Sequence, residues 1–407
     1  PINQWVELNN SGSGRGVSRN PSLSIHPSLA FDSAGKPHLA WEDKGPPSGR
    51  RVYYSYWDGE AWQGQAGSNT GKGMSGNISS VNGADASIAI DSQDRPHIAW
   101  VGTDTDVKQI YYAYWDGTAW VGVGGSDLSA GMSKSENDSF VPSLVLDSSD
   151  NPHIAWSDKS THTGYRNIYY AYWTGTEWDG LAVSDRGIGV GGRFSKYNGD
   201  EPWLALDSHN RPHIAWHGLT HSSSETDIYY TYWDGTAWET KGNRVGNGIS
   251  NILHDNRQPS LALNKQNVPY IAWSGGKVTD PSYVPPEVYV TYWNGSNWGS
   301  IGSSNVGVGI SDAPHAANNP VIRLGESNKP HVVWFERHHA DNPSQIFVRY
   351  RNWDGSNWVT KGTGFFGSNM THFTYRPGFD VDHLGRPGVS YQNFNASEQE
   401  IYFEKWE

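Results

Sequence analysis

The stretch Asp94-Arg-Pro-His-Ile-Ala-Trp100 is followed ten residues later by Ile110-Tyr-Tyr-Ala-Tyr-Trp-Asp-Gly-Thr-Ala-Trp120, and the same pattern recurs along all 407 residues. Each copy holds four short segments of strand character separated by turn residues, and a repeat of four strands is the unit of a β-propeller blade. Aligned on their shared proline, the copies are 56 to 61 residues apart, at Pro37, Pro96, Pro152, Pro212, Pro269, Pro330 and Pro387. The sequence therefore predicts an all-β, seven-bladed β-propeller with four-stranded antiparallel blades, in a single domain of residues 1–407.

The second copy shows how each blade is built. Residues 86–91 alternate small and large side chains, as expected for a first strand packed on both faces. Residues 97–100 form the predicted second strand, and residues 110–115 form an aromatic third strand. Asp116-Gly117 is a tight-turn signal of the kind that hairpins favour, and it leads to Trp120 on the fourth strand.

The two ends of the chain predict how the last blade is completed. The seventh copy stops at residues 401–407, which correspond to a third strand. Its missing fourth strand has an equivalent at the N-terminus, where Gln4-Trp-Val-Glu-Leu8 and Gly14-Arg-Gly-Val-Ser18 match residues 357–360 and 246–250. We expect residues 1–20 to supply this outer strand, so that no sheet edge stays open.

The composition limits the partners that the protein can bind and the compartment in which it is found. A net charge of -12 argues against nucleic acid and anionic membranes as partners, because both require a basic face. The chain has no cysteine, which excludes disulfides, thiolate metal sites and a cysteine nucleophile. Because no apolar run is long enough for a membrane span and the chain opens with Pro1, we predict no membrane insertion and a processed, secreted protein that is extracellular or periplasmic.

Two residue types recur at fixed positions, a tryptophan in six and a histidine in five of the seven copies, and both are predicted to be structural. The tryptophan that ends the second segment should pack against small residues of a neighbouring blade, and it occurs at Trp41, Trp100, Trp156, Trp216, Trp273 and Trp334. The histidine after the shared proline should form a structural hydrogen bond, because one histidine per blade cannot gather around one ion. These histidines are His38, His97, His153, His213 and His331.

The turn after the third segment resembles the BNR or Asp-box blade of sialidases and of many exported bacterial proteins. That family places a Ser-x-Asp-x-Gly-x-Thr-Trp box between the third and fourth strands. The equivalents here lack the leading serine and have a shorter spacing, as in residues 58–62, 116–120, 234–238 and 354–358. The resemblance implies the propeller fold. It does not imply sialidase activity, because the Phe-Arg-Ile-Pro element is missing and Arg323 has no obvious arginine partners.

Residues that depart from the repeat mark candidate binding positions. The loops after the second and fourth strands vary in length and chemistry. Those after the second strands are predicted at residues 42–51, 101–109, 157–167, 217–227, 274–287, 335–345 and 392–400. Variable loops on a regular scaffold often carry function. The residue predicted to come just before each first strand should ring the channel mouth on that face and could bind a small ligand or a metal. This ring contains His26, Asp85, Val141, Glu201, Gln258, Asn319 and Arg376.

A second candidate patch combines cations, histidines and aromatics from loops and connections between blades. Its members are Trp203, His217, His221, Arg257, Arg337, His338 and Tyr375. A lyase acting on uronic-acid sugars requires a cation that neutralises the carboxylate and a His or Tyr that transfers protons. No catalytic residue is assigned, no cofactor is predicted with certainty, and a calcium ion is allowed, although no EF-hand-type loop occurs.

Three hypotheses about function follow. The preferred one is a non-enzymatic, lectin-like recognition or assembly module that binds a carbohydrate or polysaccharide. The first alternative is a polysaccharide lyase or glycoside hydrolase at the channel mouth. The second is a self-assembling structural subunit of a surface layer or filament.

Overall fold

The computed structural model describes residues 3–19, 23–44, 49–78, 82–103, 106–128, 130–159, 164–195, 197–220, 225–242, 248–250, 255–277, 284–313, 316–325, 327–337, 346–362, 365–370, 376–395 and 398–407. They form seven antiparallel sheets, one for each copy of the repeat, so the predicted seven-bladed β-propeller is confirmed. The described helices are too short and too polar to span a bilayer. They are one α-helix, Gly73–Ile78, and two 3-10 turns, Leu181–Val183 and Gly191–Arg193.

Strands at equivalent places in the seven sheets have similar bounds. The first strands are Ser24–Phe31, Asn82–Ile90, Ser139–Leu146, Tyr197–Leu206, Asp255–Leu263, Ala317–Leu324 and Gly378–Val381. The second strands are Pro37–Asp43, Pro96–Thr103, Pro152–Lys159, Pro212–Leu219, Pro269–Lys277, Pro330–Arg337 and Pro387–Asn395. The third strands are Arg51–Trp57, Gln109–Trp115, Arg166–Trp173, Thr226–Trp233, Val284–Trp293, Ile346–Trp353 and Glu398–Trp406. The short fourth strands are Trp62–Gln63, Trp120–Val121, Trp178–Asp179, Trp238–Glu239, Trp298–Ser300, Trp358–Val359 and Trp5–Val6.

The N-terminal strand completes the seventh blade, as predicted. Trp5 pairs with Trp406 and Val6 pairs with Lys405 in antiparallel register. The indole rings of Trp5 and Trp406 meet edge to face at 5.6 Å. The chain ends are therefore joined within one sheet.

The sixth sheet departs from the predicted four strands, because a fifth strand, Phe365–Met370, pairs with its third strand. In other blades this edge of the third strand is covered by the Gly-x-Gly-x-Ser segment that follows the fourth strand. There the residue after the second glycine donates its N–H to the third strand, as in the bonds from Val17 to Ile401 and from Ile310 to Val288. The additional strand thus occupies an edge that a loop covers elsewhere.

Two compact units make up the chain. The first contains Pro1–Ile154, Tyr172–Asp179 and Pro377–Glu407, and the second contains Ala155–Ala171 and Gly180–Arg376. The single domain of residues 1–407 stays a prediction, and the clusters described below each lie within one unit.

The repeated tryptophans are core residues, as predicted. Trp100 is fully buried, stacks on Tyr111 at a centroid distance of 5.6 Å, and shares a cluster with Ala40 and Val52 of the preceding blade. Trp273 packs in the same way with Ala215 of the preceding blade. This confirms the packing of a large side chain against a small one between neighbouring blades.

The repeated histidines form structural hydrogen bonds, as predicted. The Nδ1 atom of His97 lies 2.6 Å from the hydroxyl oxygen of Tyr112, and its Nε2 atom lies 3.2 Å from a carboxylate oxygen of Asp91. The pairs His38 with Tyr54, His213 with Tyr230 and His331 with Tyr350 repeat the first bond at 2.6 to 2.7 Å. These four histidines therefore link the second and third strands of their own blades.

The turns between third and fourth strands depend on an aspartate. The carboxylate of Asp116 accepts hydrogen bonds from the backbone N–H groups of Thr118 and Ala119, and Asp58, Asp234 and Asp354 do the same in their turns. The propeller implied by the sialidase resemblance is confirmed, whereas the Asp-box itself is not shown by these turns.

The first strands contain a β-bulge that the sequence did not reveal. At each bulge a non-glycine residue has a positive φ between 47° and 58°, at His26, Asp85, Val141, Glu201, Gln258 and Asn319. The strand pairing shifts at this position, for example between Ile25 and Ser28 and between Asp200 and Trp203. We predicted that these residues precede the first strands, and this was wrong because the strand resumes beyond the bulge. Arg376, in contrast, does precede its strand.

Candidate functional site

Two positions of the repeat supply the charged groups that come together. One is the bulge residue of the first strand, and the other is the residue directly after the repeated tryptophan in the second strand. In the first blade these are His26 and Glu42, and in the fourth blade they are Glu201 and His217. A bulge redirects a side chain while the neighbouring strand continues, so the two positions converge in each blade.

The first cluster consists of His26, Glu42 and Asp85, and we call it the His-carboxylate cluster. The Nδ1 atom of His26 lies 3.3 Å from Oε2 of Glu42 and 3.4 Å from Oδ1 of Asp85. Glu42 is almost fully buried, and its Oε1 atom accepts a hydrogen bond from Arg50. Among the described residues, this is the group whose three ligand atoms lie close enough together for one metal ion, all within 4.8 Å.

The electrostatics of this cluster favour a positive charge between the carboxylates. Burial disfavours the imidazolium form of His26, but nearby Asp85 and Glu42 outweigh that effect and raise the pKa of His26 to about 9. The histidine is therefore positively charged at neutral pH, between two negative charges.

The second cluster surrounds Trp203 and His217, and we call it the arginine cluster. The guanidinium of Arg376 lies 4.7 Å from the centre of the Trp203 ring, and that of Arg323 lies 5.1 Å from it. Arg376 also lies 3.5 Å from both the backbone oxygen and a carboxylate oxygen of Glu201. These are cation–π contacts with a loosely held carboxylate beside them.

His217 is the buried histidine of this cluster. Burial lowers its pKa, the charges of Arg257 and Arg376 lower it further, and Glu201 and Asp200 act in the opposite direction. Its Nδ1 atom is buried and has no hydrogen-bond partner within the part of the chain that the structure describes. His217 is therefore a neutral imidazole with an unused nitrogen, surrounded by charged side chains.

Two further ion pairs complete the arginine cluster. Arg166 binds the carboxylate of Asp200, which also accepts a hydrogen bond of 2.6 Å from Ser157. Arg257 is exposed and lies 3.8 Å from Asp255. Three arginines, at positions 257, 323 and 376, therefore lie near Trp203 or His217, and Arg166 is linked to the cluster through Asp200.

The structure regroups the residues predicted from the sequence. Glu201 and Arg376, from the predicted ring, lie with Trp203, His217 and Arg257, from the predicted patch. His26 and Asp85 of the ring form the other cluster. Arg337 ends the second strand of the sixth blade, and His221, His338 and Tyr375 lie outside the described residues. That these residues bind a ligand, and that seven of them form one ring, stay predictions.

Five loop and connection assignments were wrong. Glu42, His217 and Arg337 are predicted in the loops after the second strands, but all three lie within those strands, and Glu42 and His217 are buried. Trp203 and Arg257 are predicted on connections between blades, but they lie within first strands. The consensus Pro-His-Ile-Ala-Trp ends at the tryptophan, whereas antiparallel pairing with the third strand continues beyond it, as between His217 and Ile228. The sequence also gave Arg323 no partner, whereas its guanidinium lies at the Trp203 ring.

Glu42, Arg323 and Asp200 were missing from the predicted site. Their signal is a departure from the repeat: Arg323 occupies a position that is alanine in Ala30, Ala89 and other copies. Trp203 likewise replaces the serine of Ser28 and Ser87, whose hydroxyls accept an N–H from the next blade. Residues that depart from the repeat at strand positions therefore mark this cluster more clearly than the composition of the loops does.

Comparison with known proteins identifies the fold. No family model and no curated protein matches the chain. A solved PL25 ulvan lyase, a polysaccharide lyase bound to -[GlcA(1-4)Rha3S]-, is 13% identical, with 98% of this chain and 95% of that chain covered and a TM-score of 0.53. The polysaccharide lyase Uly1 is 10% identical, with 94% and 90% covered and a TM-score of 0.51. A protein of unknown function from Dyadobacter fermentans DSM 18053 is 12% identical, with 80% and 95% covered and a TM-score of 0.50. At these identities the likeness shows a shared fold.

Proposed function

We propose that the protein recognises a uronate-containing polysaccharide through the arginine cluster. The observation that carries this proposal is the concentration of three arginines, at positions 257, 323 and 376, near Trp203 and His217 in a chain whose net charge is -12. An acidic polymer is repelled by most of such a surface and can bind only where cations are gathered. Guanidinium groups bind carboxylates with two parallel hydrogen bonds, which suits the carboxylate of a uronic acid.

Arg376 is the arginine best suited to contact the sugar carboxylate. It is held over the Trp203 ring, which fixes its guanidinium plane, and its ion pair with Glu201 is long at 3.5 Å. A ligand carboxylate that forms shorter, bidentate bonds could replace Glu201 as its partner. Trp203 then serves to orient the arginine, since guanidinium groups already contact its ring.

A β-elimination activity is the second candidate function, and two observations favour it. Two polysaccharide lyases share the fold over nearly the whole length of this chain. His217 is a neutral imidazole beside cations, which is the protonation state that a general base for such a reaction requires. The base would take the proton from the carbon that bears the carboxylate, and a carbon–carbon double bond would form. The bond to the departing sugar oxygen would break, and this oxygen would take a proton from water. The arginines would stabilise the negative charge on the carboxylate during this step.

A binding experiment tests the recognition function. Calorimetric titration with oligosaccharides rich in glucuronic acid should show saturable binding that neutral glucan oligosaccharides do not compete for. Arg376→Ala should weaken binding by about tenfold or more, since it removes a charge-assisted contact. Arg186→Ala is the matched control, because Arg186 is exposed and pairs only loosely, at 3.9 Å, with Asp185. Absence of binding, or equal losses in both variants, would overturn the proposal.

An absorbance assay with the same oligosaccharides separates recognition from lysis. Appearance of the ultraviolet absorption of an unsaturated uronate product, lost in His217→Gln while binding persists, supports the lyase. Because the pKa of His217 is lowered from 6.5, the base stays neutral, and the rate should be maintained, as pH falls from 7 through 6.5. Binding without product at any pH would identify a recognition protein.

A further inference from the structure

We propose that the His-carboxylate cluster is a binding site for one divalent transition-metal ion, coordinated by Nδ1 of His26, Oε2 of Glu42 and Oδ1 of Asp85. This site lies in the first and second blades and is independent of the proposed polysaccharide function. His26 carries a proton at neutral pH, and metal binding would release this proton to solvent. The imidazole nitrogen and two carboxylate oxygens then form a ligand set that suits Zn²⁺ or Mn²⁺.

The distances in the cluster suit coordination. Ligands about 2.0 to 2.1 Å from a tetrahedral ion are separated from each other by about 3.3 to 3.4 Å. The two separations that involve His26 are 3.3 and 3.4 Å, and all three ligand atoms lie within 4.8 Å of one another. The two separations that involve His26 therefore already match those of neighbouring ligands on one ion.

A second observation also points to a ligand. Glu42 is 1% exposed, and no described residue donates a hydrogen bond of good geometry to its Oε2 atom, which lies 3.3 Å from Nδ1 of His26. Its other oxygen, Oε1, is held by Arg50, so the side chain is fixed with Oε2 directed at the cluster. A buried carboxylate oxygen held in this way can exchange its ion pair with His26 for a bond to a metal ion.

The backbone holds the three ligands on separate, rigid elements. His26 and Asp85 sit at the bulges of two adjacent first strands, both with positive φ, and Glu42 lies in a second strand. Ligands carried by strands are better fixed than ligands carried by loops. The His26 and Asp85 side chains are 11% and 16% exposed, so solvent reaches the site and a water molecule could complete the coordination shell.

The ligand set also discriminates between ions. Ca²⁺ and Mg²⁺ prefer oxygen ligands, and Ca²⁺ takes about six to eight of them. An imidazole nitrogen with two carboxylates offers too few oxygens for tight Ca²⁺ binding. We therefore expect Zn²⁺ or Mn²⁺ to bind more tightly than the calcium that the sequence allowed.

Calorimetric titration of the chelator-treated full chain with Zn²⁺ tests the site. The expected result is binding of one ion per chain with a higher affinity than for Ca²⁺. His26→Ala, Asp85→Asn and Glu42→Gln should each weaken the Zn²⁺ affinity at least tenfold. His209→Ala is the control for adventitious binding by a surface histidine, because His209 lies on an exposed turn. The Zn²⁺ affinity of this variant should equal that of the unmodified protein.

Two further measurements separate a loss of metal binding from a loss of folding. Circular dichroism identifies variants that fail to fold, and the near-isosteric Asp85→Asn or Glu42→Gln then decides the outcome. Crystals soaked in Zn²⁺ should show an anomalous peak within about 2.3 Å of the three named atoms. No one-to-one binding, binding that survives in folded cluster variants, or an anomalous peak elsewhere would each overturn the proposal.

Discussion

At the residue scale, the repeated tryptophans show that equivalent positions need not have equivalent hydrogen bonds. Trp100 and Trp273 are both fully buried and stacked on a tyrosine at 5.6 Å. The Nε1 atom of Trp273 donates a hydrogen bond of 3.0 Å to Asn256, whereas that of Trp100 has no acceptor among the described residues. The indole N–H of Trp273 therefore contributes a hydrogen bond, whereas the burial of the indole N–H of Trp100 without an acceptor costs free energy.

We predict that replacing these tryptophans by phenylalanine has unequal effects. Both substitutions lose similar packing volume, so each should destabilise the protein. Trp273→Phe also removes a hydrogen bond to a buried amide and should cost about 1 to 2 kcal/mol more than Trp100→Phe, which removes an unsatisfied donor. Urea unfolding of the two variants measures the difference, and a larger loss for Trp100→Phe would contradict this account.

At the element scale, the Gly-x-Gly-x-Ser segment fits against the third strand only because of its second glycine. In the segment that begins at Gly307, both Gly307 and Gly309 have positive φ, at 59° and 60°. A Cβ atom on Gly309 would collide with the carbonyl oxygen of Val288, whereas one on Gly307 would meet nothing within 4 Å. The following N–H of Ile310 donates to that same carbonyl at 2.8 Å, so the backbone cannot move away without loss.

This difference predicts the effects of two alanine substitutions in one loop. Gly307→Ala places a side chain at a positive φ without a collision, so it should lower the free energy of unfolding by about 1 kcal/mol. Gly309→Ala adds a backbone collision and should cost about 3 kcal/mol or more. Chemical denaturation of both variants measures this, and equal losses would show that the close approach to Val288 is unimportant.

At the scale of the whole molecule, the N-terminal segment packs against the C-terminal strand and holds the two ends of the chain together. Val17 is buried in a core cluster with Ile401 and Phe403, and Ser11 donates a hydrogen bond of 2.7 Å to the backbone oxygen of Phe403. Without this segment, the third strand of the seventh blade would expose an unpaired edge, which also promotes aggregation.

We therefore predict that deletion of residues 1–19 strongly destabilises the protein. The melting temperature should fall by roughly 10 °C or more, because a strand, its core side chain and its hydrogen bonds are lost together. A synthetic peptide of residues 1–19 added in trans should restore part of the loss by binding to the open edge. Differential scanning calorimetry measures both effects, and an unchanged melting temperature would rule out this role for the segment.

Particular residues show how far the sequence could be used to predict the candidate sites. His26, Asp85, Glu201 and Arg376 were singled out because they break the repeat, and the structure places them in two clusters. Glu42 and His217 were placed in loops, since the consensus ends one residue before them and pairing beyond it is not visible in the sequence. Arg323 could not be paired with Trp203, because they are 120 positions apart and belong to different blades.

The sequence by itself determined the number of blades, the use of the N-terminal strand in the last blade, and the structural role of the repeated tryptophans and histidines. These features recur or match between copies, so local patterns are sufficient to identify them. Only the tertiary structure decided which irregular side chains meet, because that depends on the bulges at His26, Asp85 and Glu201 in their first strands and on the register of the strands beside them. Each bulge contains a residue with a positive φ, and residues as different as His26, Val141 and Glu201 adopt this conformation here. The position of a bulge therefore cannot be recognised from the residue type.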